Sequence, residues 1–327
     1  MKRIAGLLVS FSLLGMTFSS VTFAQEYTLL AGHQLAAGTP FDQGLIRFAE
    51  LVEEKTDGQV VVEVNSGGAI GSELEMFEGM TVGTVDVAVV APNSIAEFVP
   101  EATILSMPFL VNSREMRDRV IESDAFQRVA DLIQEQTGVE VLGVFGGGVR
   151  NMFFTEPVEN AEGMQGRRFR VQPSRILTDS FGALGLEPTV VAYSELYNAL
   201  AQGVVSGAEN ESVYVLSQAF YEPAPYLLKT QHEVTIRPLV MSSMTLDGMP
   251  PELADAVREA GAEASEYARQ VEAEADDAAL QTLQDEHGMT VAQIDTAPLI
   301  AEVEPIWAEY AEGWGLTDVL EQITALR

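Results

Sequence analysis

The chain of 327 residues contains no cysteine. That excludes disulfides, a thiol nucleophile, thiolate metal sites and a lipidated cysteine tether, so the fold has to be held by its core alone. Basic residues are scarce as well: 18 lysines and arginines stand against 49 acidic residues, the formal net charge is −31, and lysine occurs only at Lys2, Lys55 and Lys229. Such a surface repels phosphate backbones and anionic headgroups, which argues against nucleic acid as a partner. It suits solubility in a salty medium, where charge is screened within ~8 Å. The apolar run Ile4 to Met16 is shorter than the ~20 residues a spanning helix needs. With Met1-Lys2-Arg3 before it and Thr22-Phe23-Ala24 after it, the run reads as a secretory signal peptide over residues 1–24, leaving Gln25 as the first mature residue and the periplasm as the destination.

Signatures of catalysis are missing too. There is no Gly-x-Ser-x-Gly and no Walker phosphate loop, and Gly146-Gly147-Gly148 does not continue as a dinucleotide fingerprint. His33, His232 and His287 lack the spacing of a zinc hydrolase. No enzyme activity, cofactor or metal is expected. Glu209 and Glu211 flank Asn210 and offer a cation two carboxylates, although mutual repulsion of two solvated acids is the default.

What is present is an alternation of strand and helix patterns with enough apolar content, 47%, for two cores. Tyr27 to Ala31, Gln59 to Asn65 and Val85 to Val90 read as strands, separated by helical patterns over Phe41 to Thr56 and Glu73 to Val82. This succession predicts an α/β fold with mainly parallel sheets. Ligands of such sheets sit beyond the carboxyl ends of the strands, which brings Gln34, His33 and Asn93 forward as groups for ligand hydroxyls; loop polarity accounts for them almost as well. Helix is expected from Arg114 through Gln136, a buried strand over Val139 to Phe145, and a sharp change of direction at Gly146 to Gly148. His232 to Thr245 reads as one long apolar strand. From Pro250 to Glu286 the pattern is helical, with a stripe from Leu253 to Leu283 too rich in alanine for a coiled coil.

Residues 166 to 211 stand out. Arg167, Arg168 and Arg170 reverse the local sign of a very acidic chain, and a short strand there aims a guanidinium off its end. Arginine presents a planar fork that binds a carboxylate through two parallel hydrogen bonds. The block closes on Gly207, Ala208, Glu209 and Asn210, a second short strand delivering an amide. Tyr214 lies about one helical turn further on.

Gly166 to Val171, Leu184-Gly185, Tyr193, Glu195, Tyr197, Gly203-Val204-Val205, Gly207 and Glu209-Asn210, taken with their spacing, resemble the DctP-like solute-binding proteins of tripartite ATP-independent periplasmic (TRAP) transporters. Pro108-Phe109-Leu110 and Gly148-Val149-Arg150 are similar to the family's first-lobe turn and its entry into the second lobe. Departures at Ser206, Ala208 and Glu211 are local. The resemblance implies a two-lobed periplasmic binding protein fold with a long connecting helix, lobe I being 25–147 with 236–275 and lobe II 148–235 with 276–327. It implies that Arg170 grips a ligand carboxylate, that Asn210 and Arg150 attend the same end, that Tyr193 packs on the ligand body, and that His232 lies nearby. For Arg150 an interlobe salt bridge is the competing role, and for both tyrosines a place in the core. The Val-Gln-Pro-Ser and Ala-Glu-Asn strings look like members that bind sugar acids such as uronates; dicarboxylates, keto acids and ectoine-like solutes stay open. The partners implied are the small and large TRAP membrane subunits, served by a monomer. A ligand-sensing module for a receptor is the alternative.

Overall fold

The computed structural model describes residues 26–327, so the expected signal peptide lies outside the described residues. One sheet contains β1 (Tyr27–Gly32), β2 (Val60–Asn65), β3 (Val87–Val89) and β4 (Val139–Phe145). The other contains β5 (Val149–Phe154), β6 (Arg168–Val171), β7 (Glu187–Val190), β8 (Gly207–Glu211), β9 (Tyr226–Val234) and β11 (Thr290–Gln293), while β10 (Arg237–Ser242) returns to the first sheet. Strand order is β2-β1-β3-β10-β4 in the first and β11-β9-β5-β8-β6-β7 in the second. In each sheet one strand runs against all the others: β10 in the first, β5 in the second. Both are strands that have just crossed from the other sheet, at Gly146 to Gly148 and at Thr235-Ile236. The mainly parallel α/β architecture expected from the sequence is therefore the observed one.

Two expected elements are divided. The apolar run from His232 to Thr245 is the end of β9, the crossing, all of β10 and a short helix Ser243–Asp247. Burial on both faces erases the alternation that would have marked the break. Arg114 to Gln136 is likewise two helices, Arg114–Ile121 and Asp124–Thr137, because Ser123 caps the second by accepting the Phe126 N–H.

The long helix Pro251–Asp285, 35 residues and so about 50 Å, packs on helix Pro40–Lys55, on β4 and on helix Ser212–Ser217. Its stripe is small because the approach is close. A Cβ on Gly44 would lie 2.7 Å from that of Ala268, and one on Gly261 would lie 2.7 Å from Leu142 Cβ. The first crossing is gripped from behind by three arginines. Arg269 Nη1 donates to Val144 O at 2.9 Å, Arg117 Nη1 to Gly146 O at 2.8 Å and Arg114 Nε to Gly147 O at 2.8 Å. Near the carboxyl end, helix Ala297–Trp314 touches helix Arg175–Ala183 and the turn Pro100–Ser106, and Trp307 donates to Pro108 O at 3.1 Å. Among the described residues no helix is long and apolar enough to cross a membrane.

Candidate functional site

Alternation along β8 decides which side chains meet. Glu209 and Glu211 project to one side of the sheet and Asn210 to the other. Arg150 lies opposite Glu211 in the antiparallel register and inserts between the two acids. It donates to Glu209 from Nε and, at 2.7 Å, from Nη2, and to Glu211 from Nη1 at 2.6 Å. The two acids are thus buried and bridged by one guanidinium rather than solvated and mutually repelling. All three residues belong to the second sheet, so Arg150 makes no salt bridge between sheets. Burial alone would raise Glu209, but Arg150 and His232 hold it well below the usual carboxylate range. The Thr230 hydroxyl sits 2.8 Å from His232 Nδ1, which leaves Nε2–H to face Glu209 at 3.3 Å; burial keeps the imidazole neutral by lowering its pKa. The ring is wedged between Phe109 and Phe181. Phe109 holds a left-handed φ of 66° while its N–H donates to His232 O at 2.5 Å.

From Glu211 the charges continue into the first sheet. Arg237 Nη2 is 3.8 Å from Glu211, and Arg237 Nη1 donates to Glu73 at 3.1 Å. Glu73 also accepts from Gln34 Nε2 at 2.8 Å and from the Ala91 N–H at 2.8 Å. Arg150, Glu211, Arg237, Glu73 and Gln34 therefore form one chain of contacts that joins the two sheets. Beside it lies a cavity of about 10 Å³, roughly the room of a single water. Asn93, Gln172, Glu209, Glu233 and Arg237 contribute to its wall.

A second group lies on the opposite face of β8. Arg170 is 2% exposed; its Nε donates to Val191 O at 2.9 Å, its guanidinium carbon stands 5.8 Å from the centre of the Tyr193 ring, and Nη1 has no hydrogen-bond partner among the described residues. Burial lowers its pKa to about 10, an effect that Glu209 opposes and Arg150 reinforces. Asn210 donates to the Tyr193 hydroxyl at 3.2 Å and accepts the Glu211 N–H at 3.0 Å. Tyr193 and Gln34 also line an outer cleft of about 500 Å³, floored by the glycine-rich loop at Gly67, Gly68 and Gly71.

The structure thus gathers Arg170, Tyr193 and Asn210, places Arg150, His232 and Asn93 at or beside the inner cavity, and sets Gln34 between cavity and cleft. It does not bring His33 or Tyr214 to either. His33 Nε2 is tied to Asp42 at 3.2 Å, and Asp42 in turn accepts from Ser66 at 2.5 Å, which pins the two loops together. Tyr214 packs on Phe41, with ring centres 5.4 Å apart, in the core beneath the long helix. Sequence reasoning missed Glu73, Glu233, Gln172 and Arg237. Only Arg237 carried a usable signal, a lone charge inside an apolar run, which in a buried strand demands a partner.

An α/β chain that passes three times between two sheets, with a charged cavity where they meet, is built as a binding protein for a small solute. It belongs to the bacterial extracellular solute-binding proteins, family 7 (DctP), whose family profile matches residues 31–313. A solute-binding protein of Sulfitobacter sp. NAS-14.1 is 33% identical over 97% of both chains. A TRAP periplasmic solute-binding protein from Sulfitobacter sp. NAS-14.1, solved with bound α-D-taluronate, is 33% identical with a TM-score of 0.88, covering 91% of this chain and 97% of that one. Another from Roseobacter denitrificans, solved with β-D-glucuronate, is 26% identical with a TM-score of 0.87, covering 91% and 99%.

Proposed function

We propose that this chain captures a monocarboxylic sugar acid, with a hexuronate as the leading ligand, in the periplasm and hands it to the small and large membrane subunits of a TRAP transporter. One observation carries the reading: the polar atoms left unpaired near the site are of two kinds. Arg170 Nη1 and Arg237 Nε are cationic donors, whereas Asn93 Oδ1 and Gln172 Oε1 are acceptors. A ligand that satisfies both has a carboxylate at one end and hydroxyl donors at the other. The uronates bound by the Sulfitobacter and Roseobacter proteins support the same class. A dicarboxylate would set its second anion beside Glu209, Glu233 and these acceptors, in a wall whose arginines, Arg150 and Arg237, are already engaged by Glu73, Glu209 and Glu211.

Because the inner cavity is water-sized, ligand entry requires the walls to part. We assign that motion to two lobes, 25–147 with 236–275 and 148–235 with 276–327, bending at the two crossings. Export rests on the sequence of residues 1–24, and the mass of periplasmic protein should correspond to a chain starting at Gln25.

A thermal-shift screen tests the ligand class. D-glucuronate or D-galacturonate should raise the melting temperature, by ~2.7 kcal/mol of stabilisation at a hundredfold excess over Kd, and succinate, 2-oxoglutarate and ectoine should not. A larger shift with succinate than with any sugar acid would contradict the reading.

A further inference from the structure

Glu233 is the one cavity-lining acid that the described residues leave without a hydrogen bond. It is 5% exposed, faces Arg150 across the β5–β9 pairing, and comes no closer to a cation than 3.9 Å, at Arg150 Nε. Glu209 and Glu211 differ, since both receive charged donors. The surrounding charges are already matched: Arg150, Arg170 and Arg237 stand with Glu73, Glu209 and Glu211, all buried. A ligand carboxylate on Arg170 adds a negative charge to that set. A further one at Glu233 would be held out of water with nothing to answer it.

We propose that Glu233 selects the ligand by its uncharged end: the carboxyl shares a hydrogen bond with a sugar hydroxyl and, once ionised, turns away acids that carry a second carboxylate. The inference rests on the sugar-acid reading above. Burial raises the Glu233 pKa to about 8; Arg150 and Arg237 pull it down, and Glu209 and Glu211 push it up. Near neutral pH the side chain is therefore uncharged and able to donate as well as accept. It ionises as pH rises through that value, and its repulsion of a second ligand carboxylate grows.

Calorimetric titration with D-glucuronate, D-gluconate and D-glucarate tests this in the wild type and in Glu233→Gln. D-gluconate and D-glucarate are both open chains and differ only in the far terminus, hydroxymethyl in one and carboxylate in the other. At about pH 9, where Glu233 is ionised, the wild type should bind D-gluconate at least ~100-fold more tightly than D-glucarate, and Glu233→Gln should narrow that ratio by ~10-fold or more, chiefly by admitting D-glucarate. An unchanged ratio overturns the assignment. If the variant does not fold, the wild type is titrated at about pH 6 and about pH 9, where D-glucarate must lose affinity relative to D-gluconate; a ratio independent of pH overturns the assignment equally. Should the wild type bind none of the sugar acids, the functional reading itself fails and takes this inference with it. Normal D-glucuronate binding with an unmoved ratio removes the inference alone.

Discussion

At the scale of single residues, Arg170 has the chemistry of a group kept for a ligand. Its charge is desolvated, one arm of its fork is unpaired, and no carboxylate forms a salt bridge with it among the described residues. A cation in that state contributes little to the empty fold. Arg170→Met should therefore cost ~2–5 kcal/mol of D-glucuronate binding while the melting temperature of the empty protein holds or rises. Arg170→Lys keeps a charge but loses the fork and should restore only part of the affinity. Titration calorimetry beside apo melting curves separates this from a structural role, in which the apo protein would melt earlier and still bind. Arg170, Tyr193 and Asn210 were legible because they sit within one patterned block of sequence. Glu73 and Glu233 were not, since each sits on a distant element and nothing local announces its burial, whereas Arg237 was signalled only by the apolar run around it.

At the scale of elements, the crossings and the long helix behind them matter most. Gly147 fits because a Cβ there would stand 2.5 Å from Arg269 O of the helix backbone. About two turns further along, Asp276 accepts the N–H of Val149 at 2.9 Å and of Val213 at 3.0 Å, fastening the helix to both β5 and helix Ser212–Ser217. Between these contacts lies Glu272, 0% exposed with neither oxygen hydrogen-bonded among the described residues. Burial, with Glu211 and Asp276 adding to it, raises its pKa well above the usual value. The folded state thus holds a proton that the unfolded chain releases above about pH 4.5, and stability falls as pH rises beyond that point. Glu272→Gln removes this cost and should stabilise the protein by ~1–3 kcal/mol near pH 8, with the gain shrinking towards pH 4.5, as urea unfolding at both values would reveal. Strand and helix periodicities made most elements readable. The misread ones, His232 to Thr245 and Arg114 to Gln136, are those whose apolar pattern runs unbroken through a change of backbone direction that only a crossing or a Ser123 cap imposes.

At the scale of the whole molecule, a net charge of −31 sets a field that opposes the anion the site is built to hold. Lowering salt to about 10 mM lengthens the screening distance to ~30 Å. The empty protein should then melt earlier, and D-glucuronate should associate more slowly than at about 0.3 M NaCl, as stopped-flow and thermal melts would record. A salt dependence of the opposite sign would mean that steering by a basic surface, absent from this chain, contributes to capture. Affinity has to come from the directed contacts between the two sheets. The most direct measurement of that claim is a crystal structure of the protein grown with D-glucuronate. The account predicts the carboxylate on Arg170 Nη1, with Tyr193 against the sugar and the hydroxyls turned to Asn93, Gln172 and Glu233. A uronate bound in the reverse sense, or bound away from Arg170, would contradict it.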